Sequence, residues 1–356
     1  MRPTWAIVDL GAIERNLRAI RAVIAPSQVC AVVKADGYGH GDAPVATAAL
    51  EGGASLLAVA LVEEGIRLRE AGIDAQILVL SQPELAASPE FERWALTPTV
   101  YTTDFAEALA GARFSGGVHL KLDSGMHRVG ASPEQWPALL ESVRSSGLEI
   151  EGLFTHFAVA DEDPEFTERQ IEIFDETVGD EDFLVHMAKT PGALLFPEAR
   201  RDFARIGLGI YGLHPCPETR DVVNLEPAMS VVTQVSHVQR LPAGARPSYG
   251  RISPLDEEST VITVPIGYAD GLWRNLSLEG RALIGGTSVP IAGTVTMDQT
   301  VFAVGDADVS VGDEVVLIGR QGDEEIGADE WADILGTISY EVVCSIGPRV
   351  PRRYTS

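Results

Sequence analysis

The 356-residue chain is poor in cysteine and has no long apolar run. Its three cysteines (Cys30, Cys216 and Cys344) are far apart, odd in number and without metal-ligand spacing. They form no disulfide framework, which is typical of a reducing compartment. No uncharged stretch approaches the ~18 apolar residues that a membrane span needs. Asp9 and Glu14 interrupt the N-terminal segment too early for a signal peptide. We therefore expect a cytoplasmic protein without membrane attachment.

Positive charge is also scarce. The chain has 27 Lys and Arg against 52 Asp and Glu, a formal net charge of -25. Such a surface repels phosphate backbones and anionic lipid, which argues against nucleic-acid and membrane-surface partners. Hydrophobic residues nevertheless make up 45% of the chain and charged residues 22%, a composition typical of a folded globular protein.

Lysine is the rarest of the charged residues. Only three of the 27 basic residues are lysines: Lys34, Lys121 and Lys189. Unlike arginine, lysine can lose its proton and act as a base, a Schiff-base amine or a carbamate. The alternative is that these three lysines have no special role.

Eight short apolar runs, rich in branched residues, alternate with amphipathic helical segments. This pattern predicts an α/β fold with a parallel sheet closed as a (β/α)8 TIM-type barrel. An open doubly wound sheet is the alternative, but no GxGxxG follows the first run. The predicted strands are residues 28–34, 55–60, 76–80, 94–101, 117–123, 149–157, 183–188 and 203–212.

The pattern changes near residue 225, where alternating β runs separated by turn residues begin. We expect a barrel domain over residues 1–224 and a C-terminal all-β domain over residues 225–356. One helical stretch is predicted over residues 328–346.

All three lysines fall at the predicted ends of barrel strands, where the working groups of such barrels lie. Lys34 is followed by the glycine-rich ADGYGHG, Lys121 lies within the fifth strand, and Lys189 follows the seventh. A lysine in an apolar strand is desolvated and its pKa falls, so it can attack a carbonyl cofactor as an amine.

The segment VVKADGYGHG closely resembles the pyridoxal-phosphate motif of alanine racemases. The resemblance continues in order through KLDSGMHRVG, FTHFAVADE, ARIGLGIYGLHP, PSYG, PIGYADG, TVTMDQ and ISYEVVCSIGPRVPR. It implies a pyridoxal 5'-phosphate-dependent isomerase that interconverts L-alanine and D-alanine by a two-base mechanism and supplies D-alanine for peptidoglycan. It also implies a homodimer with active sites shared between subunits.

The resemblance assigns roles to individual residues. Lys34 matches the lysine that holds the cofactor and acts as one base, and Tyr249 matches the opposite base, delivered by the second subunit. His156 matches the histidine bonded to that tyrosine, and Arg205 the arginine facing the pyridine nitrogen. The remaining matches are Tyr38, Thr190, Gly207, Leu208 and Tyr340 at the cofactor phosphate, Arg128 and Met297 at the substrate carboxylate, and Tyr268 with Tyr340 at the entry channel.

The roles of Lys121 and Lys189 need separate interpretation. Lys121 matches a lysine that several relatives carbamylate, and we expect the same here. Lys189 stands where the family has asparagine, so it adds a cation that contacts either the phosphate or the surroundings of Arg128. His40, His119, His127 and His186 are interpreted as structural or supporting residues, because they show no metal-ligand spacing.

Several alternatives remain open. The same machinery serves racemases of other specificity, such as serine or lysine. A decarboxylase of the same two-domain architecture fits PSYG and TVTMDQ less well. A pyridoxal-phosphate-binding homeostasis protein has the barrel but lacks the β domain. Without the motifs, Tyr249 and Tyr268 would be interpreted as core aromatics, His156 as a buried structural histidine, and Arg205 and Arg128 as ordinary ion-pair partners.

Overall fold

The computed structural model describes residues 2–179 and 182–356. The chain divides into two compact units, a barrel unit over Gly11–Glu226 and a β unit that combines the residues up to Leu10 with Pro227–Ser356. The predicted boundary after residue 224 lies two residues from the observed one. The range 1–224 is wrong at its start, because the first strand pairs with strands of the β unit. In the described ranges, no helix is both long and apolar enough to cross a membrane.

The described strands fall into three sheets. In chain order they are β1 (Thr4–Asp9), β2 (Gln28–Val32), β3 (Leu56–Val59), β4 (Ile77–Val79), β5 (Thr97–Val100), β6 (Gly117–Lys121), β7 (Glu149–Phe154), β8 (Leu184–His186), β9 (Phe203–Ile206), β10 (Met229–Gln234), β11 (His237–Leu241), β12 (Ser259–Val264), β13 (Arg281–Ile284), β14 (Thr287–Pro290), β15 (Thr300–Gly305), β16 (Glu314–Gln321), β17 (Glu324–Ile326) and β18 (Arg352–Thr355).

The right-handed helices occur mainly in the barrel unit. They are α1 (Leu10–Ile24), α2 (Asp42–Glu51), α3 (Val62–Glu70), α4 (Ser88–Arg93), α5 (Thr103–Gly111), α6 (Trp136–Ser145), α7 (Pro164–Val178), α8 (Thr190–Leu195), α9 (Glu218–Val222), α10 (Ala328–Leu335) and α11 (Ser339–Ser345). Short 3₁₀ turns lie at Leu85–Ala87, Pro197–Ala199, Leu208–Tyr211, Tyr249–Arg251, Tyr268–Asp270 and Arg274–Leu276.

The barrel sheet has the order β8-β7-β6-β5-β4-β3-β2-β9, and all its pairings are parallel. Between the two end strands, the N–H of Asp202 donates to the carbonyl of Val185 (3.1 Å) and the N–H of Arg205 to that of Ala188 (3.0 Å). These bonds bridge the last gap of the barrel. All eight predicted strands are confirmed, and most of their residues are buried, as parallel barrel strands require; the exception is β8, where Leu184 is exposed and Val185 is half-buried.

The β unit contains two sheets. The larger has the order β14-β13-β16-β10-β1-β18, with β17 added to β16, and the smaller has the order β11-β12-β15. Strand β1 lies between an antiparallel partner, β10, and a parallel one, β18. The predicted helical stretch over 328–346 is two helices, because Gly336 adopts a left-handed φ of 65° and ends α10.

Candidate active site

The three lysines lie at the carboxyl ends of barrel strands, as predicted. Lys34 follows β2 by two residues, Lys121 is the last residue of β6, and Lys189 follows β8 by three residues. In a (β/α)8 barrel these positions share one face, where catalytic loops are built.

Lys34 leads into a turn of unusual hand. Ala35, Asp36, Gly37 and Tyr38 have φ values of 53°, 54°, 58° and 52°, all in the left-handed region. Such backbone costs roughly 1–2 kcal/mol per residue outside glycine and is typical of functional sites. The turn is anchored by the buried Glu64, whose carboxylate accepts bonds from the backbone N–H groups of Ala35 (2.7 Å), Ala60 (2.8 Å) and Leu61 (3.1 Å). The direction in which the chain leaves Lys34 is therefore fixed.

Arg205, on β9, occupies the centre of the barrel unit at this end. It is only 3% exposed. Its Nη2 donates to the carbonyls of Thr155 (2.7 Å) and Met187 (3.0 Å) and to Nδ1 of His156 (3.1 Å), and its Nη1 donates to Nδ1 of His186 (2.7 Å). Burial lowers the pKa of Arg205 to about 10, so the guanidinium stays protonated at neutral pH. Its hydrogen bonds to described residues come from Nη1 and Nη2, not from Nε.

This arrangement decides the protonation of His156. A guanidinium can only donate, so Nδ1 of His156 must accept and the ring carries its proton on Nε2. Burial, followed by the charges of Arg205 and Lys121, holds the pKa of His156 well below its usual range. His156 is therefore a neutral ring that can donate a hydrogen bond through Nε2.

Four of the five predicted phosphate ligands lie around one small region of the barrel end. A Cβ on Gly207 would lie 2.5 Å from the hydroxyl of Tyr38, and a Cβ on Gly209 would lie 2.9 Å from the Cγ2 of Thr190. Tyr38 and Thr190 are buried, with exposed fractions of 8% and 2%. Leu208 begins the 3₁₀ turn that follows. Only glycine permits the backbone at 207 to approach the phenol so closely.

Lys121 is buried, and its Nζ donates to the carbonyl of Val129 (2.7 Å). Burial, then the charges of Arg205 and Arg128, lowers its pKa from 10.5 to about 8. Arg128 itself is exposed, in the loop that follows β6. Lys189 pairs with Asp161 at 2.8 Å. The extra cation is thus balanced by a carboxylate from the loop after β7, an outcome that neither sequence alternative included.

The remaining predicted residues belong to the β unit, and three of them, Tyr249, Tyr268 and Met297, are exposed. Tyr249 is 74% exposed, which excludes its interpretation as a core aromatic within this chain. Its backbone is held because its carbonyl accepts from Thr294 Oγ1 (2.8 Å), while Ser248 Oγ donates to the Thr294 carbonyl (2.5 Å). Ser248 and Gly250, on either side, have left-handed φ values of 65° and 71°.

Tyr268 and Met297 lie side by side in the same unit and are 43% and 51% exposed. The N–H of Tyr268 donates to the carbonyl of Thr296 (3.0 Å). The fully buried Asp270 belongs to this turn and forms an ion pair with Arg2 (2.8 Å), which holds the turn in place. Tyr340, in α11, is half-buried.

Sequence reasoning missed several residues that hold this geometry. Glu64 and Asp161 carry no motif of their own, and Asp270 is hidden in the GYADG motif. His186, interpreted as supporting, contacts Arg205 directly. Glu64 is the third residue of α3, where a carboxylate can accept the free N–H groups of the helix N-terminus, and this position was a signal that could have been found.

Two sequence profiles together match nearly the whole chain: "Alanine racemase, N-terminal domain" over residues 8–215 and "Alanine racemase, C-terminal domain" over residues 228–354. An alanine racemase of Symbiobacterium thermophilum is 44% identical, over 99% of this chain and 97% of its own. The crystal structure of alanine racemase from Bacillus anthracis with bound L-Ala-P has a TM-score of 0.93 at 37% identity and covers 100% of this chain and 96% of its own. A histidine racemase from Leuconostoc mesenteroides has a TM-score of 0.91 at 28% identity, with coverages of 100% and 98%.

Proposed function

Because the chain belongs to the alanine racemase family, we propose that it interconverts L-alanine and D-alanine with pyridoxal 5'-phosphate as cofactor. The observation that carries this proposal is the Arg205 cluster at the carboxyl end of the barrel. It combines a buried guanidinium with a neutral histidine that accepts its hydrogen bond.

The residues present fit the cofactor. Lys34 is the amine for its aldehyde carbon, and the Tyr38, Thr190, Gly207 and Leu208 region would hold the phosphate, with Tyr340. The Nε–H of Arg205 would face the pyridine nitrogen. When bound, pyridoxal phosphate supplies the electron sink that makes the α-proton of an amino acid removable.

This chain supplies the two bases. Nζ of Lys34 takes or returns the proton on one face of the α-carbon, and Oη of a second chain's Tyr249 does so on the other. Arg205 donates a hydrogen bond without giving up its proton, since its pKa stays near 10. Arg205 would therefore hold the ring nitrogen of a bound cofactor without protonating it, which would limit side reactions.

A phenol has an ordinary pKa of about 10 and needs help to act as a base near neutrality. The neutral His156 gives that help by donating a hydrogen bond from its Nε2–H to the phenolate oxygen. The sequence left open whether charge or a hydrogen bond does this; the bonding of Arg205 to Nδ1 favours the hydrogen bond. Arg128 and the backbone N–H of Met297 would bind the substrate carboxylate, and Tyr268 with Tyr340 would narrow the entry.

Lys121 is proposed to react with carbon dioxide to give a carbamate that positions Arg128. Its lowered pKa leaves a larger neutral fraction than an exposed lysine has, and the neutral amine is the species that reacts. The carbamate would replace a cation by an anion between Arg128 and Arg205.

Purified protein supplied with pyridoxal phosphate should racemise alanine faster than serine, lysine or histidine, measured by chiral chromatography. Histidine belongs in the panel because a histidine racemase shares the fold. Borohydride should fix the cofactor to Lys34, located by mass spectrometry of peptides. A label on Lys121 or Lys189, or a faster rate with another amino acid, would overturn the assignment.

A further inference from the structure

Arg205 determines which ring nitrogen donates and which accepts in the buried histidines near it. Its Nη1 lies 2.7 Å from Nδ1 of His186, and a guanidinium has no acceptor. His186 must therefore accept at Nδ1 and carry its proton on Nε2. The ring lies between Phe154 and Phe203, with centroid distances of 4.5 and 4.2 Å, and it is fully buried. Burial, then Arg205, holds the pKa of His186 well below its usual range, in agreement with a neutral ring.

The same logic extends to the next ring. Nε2 of His186 lies 2.9 Å from Nδ1 of His119. Because His186 donates there, His119 accepts at Nδ1 and carries its own proton on Nε2. Both tautomers therefore follow from one guanidinium, and each N–H points away from the candidate active site.

The backbone makes room for the His119 ring. The β6–β7 pairing shifts register between Val118 and His119, an irregularity that re-aims a side chain. A Cβ on Gly152, the register partner of His119, would lie 2.6 Å from the imidazole. A larger residue at 152 would displace the ring, so the position of His119 is specified locally.

The sequence of hydrogen bonds ends at His119, and a carboxylate lies just beyond hydrogen-bond distance from it. Nε2 of His119 is buried without a hydrogen-bond partner among the described residues, and Oε2 of Glu151 lies 3.7 Å from it. Gln76 Nε2 donates to both carboxylate oxygens at 2.9 Å. These groups line a cavity of about 390 Å³ at the amino end of the barrel. The N–H of His119 helps to lower the pKa of Glu151, so the carboxylate is ionised at neutral pH.

Two further charged groups line that cavity, and both are already bound. Arg201 pairs with Asp175 at 2.7 Å, and the carboxylate of Asp202 accepts from the backbone N–H of Val185 at 2.7 Å. Glu151 is therefore the carboxylate that the proton on His119 Nε2 faces.

We propose that Glu151 and His119 are positioning residues that act on Arg205 across the barrel interior. Arg205, His186, His119 and Glu151 form what we call the imidazole chain. A carboxylate behind a histidine fixes its tautomer and strengthens its far nitrogen as an acceptor. Here the effect passes through two rings and holds the guanidinium in the orientation that leaves its Nε–H for the cofactor ring. This last step rests on the proposed function, whereas the proton positions do not.

The first test needs no cofactor. In protein labelled with ¹⁵N-histidine, imidazole NMR at neutral pH should show His119 and His186 protonated only at Nε2, and His186 should not titrate between pH 6 and 9. Glu151→Gln should shift the signals of both rings. Glu149→Gln, which removes the same charge from an exposed position two residues earlier on β7, should leave them unchanged. A proton on Nδ1 of either ring, or signals indifferent to Glu151→Gln, would overturn the proposal.

The second test uses the loaded enzyme and a double-mutant cycle. Glu151→Gln should lower kcat by about three- to tenfold with little change in KM, because the chain acts on Arg205 and not on substrate binding. His119→Phe keeps an aromatic ring among its aromatic neighbours but removes both ring nitrogens, so it interrupts the imidazole chain. In that background Glu151→Gln should have no further effect on kcat, since non-additivity is expected of residues that act as a unit. Additive losses, or equal losses in kcat and 1/KM, would contradict the proposal.

These tests separate two failures. If the protein binds no pyridoxal phosphate but the NMR result holds, the proposed function fails and the imidazole chain stands. If racemisation is observed and the double-mutant cycle is additive, the function stands and the chain plays no part in positioning Arg205.

Discussion

Tyr249 differs from phenylalanine by a single oxygen, and that oxygen is the proposed second base. Tyr249→Phe should leave cofactor binding intact, because the residue is exposed and its anchoring bonds come from the backbone. Racemisation should fall by about 10²- to 10⁴-fold in both directions, the usual contribution of a general base. Exchange of the α-hydrogen of D-alanine with deuterated solvent, followed by NMR, should survive through Lys34, while exchange from L-alanine is largely lost. Equal exchange from both enantiomers would show that one base serves both faces.

Lys121 makes stability depend on pH. Its pKa falls from 10.5 in the unfolded chain to about 8 when folded. Between these values the unfolded state binds more protons, so the free energy of unfolding rises with pH from about 8 to 10.5 and is flat below this window. The change is at most about 3 kcal/mol. Urea titrations of carbon-dioxide-free wild type and Lys121→Met should diverge across the window. Parallel curves would mean that the amine is not perturbed by folding.

For individual residues, the sequence identified the important side chains but not the hydrogen bonds and ion pairs that they form. Lysine scarcity marked Lys34, Lys121 and Lys189, and all three lie at the carboxyl ends of strands. The pairing of Lys189 with Asp161 depends on how two loops approach each other, which no local pattern encodes. The tautomer of His156 depends likewise on a guanidinium 49 residues away.

The element that presents Lys34 is a left-handed turn held by one carboxylate. Glu64→Gln replaces an oxygen that accepts backbone bonds by an NH₂ group that cannot, and leaves a buried N–H unsatisfied. The free energy of unfolding should drop by about 2–3 kcal/mol, measured by urea denaturation. Glu63→Gln, on the exposed neighbouring position, should change stability by less than about 0.5 kcal/mol. Equal losses in the two variants would mean that charge, and not the bonding of the turn, is responsible.

Elements with local signatures were predictable, whereas those defined by distant partners were not. The eight barrel strands are continuous apolar runs, and each was found from its own residues. The six residues of β1 form an ordinary strand, but their assignment to the β unit depends on β10, more than 200 residues later. The prediction of a single helix over 328–346 was wrong, because a lone glycine such as Gly336 can either end a helix or be tolerated within one.

The whole molecule distributes its proposed chemistry over two units. Lys34, His156 and Arg205 belong to the barrel unit, whereas Tyr249, Tyr268 and Met297 belong to the β unit. The last three are large side chains left largely exposed on a single chain. Exposed apolar and aromatic groups of this kind are typical of surfaces that are covered by a partner. In the homodimer that the family resemblance implies, a second copy of the chain would cover these side chains, because a two-fold interface would place the β unit of one copy against the barrel unit of the other.

Sites shared in this way can be tested by complementation. Lys34→Ala and Tyr249→Phe chains should each be nearly inactive alone. Co-expressed with two different affinity tags and purified through both, the hybrid dimer should regain about half of the wild-type activity, because one of its two sites contains both intact residues. A hybrid of Lys34→Ala with Lys34→Arg, prepared in the same way, should remain inactive, since neither site has the amine. If the first hybrid is as inactive as the second, the tyrosine acts within its own chain and the shared site is wrong.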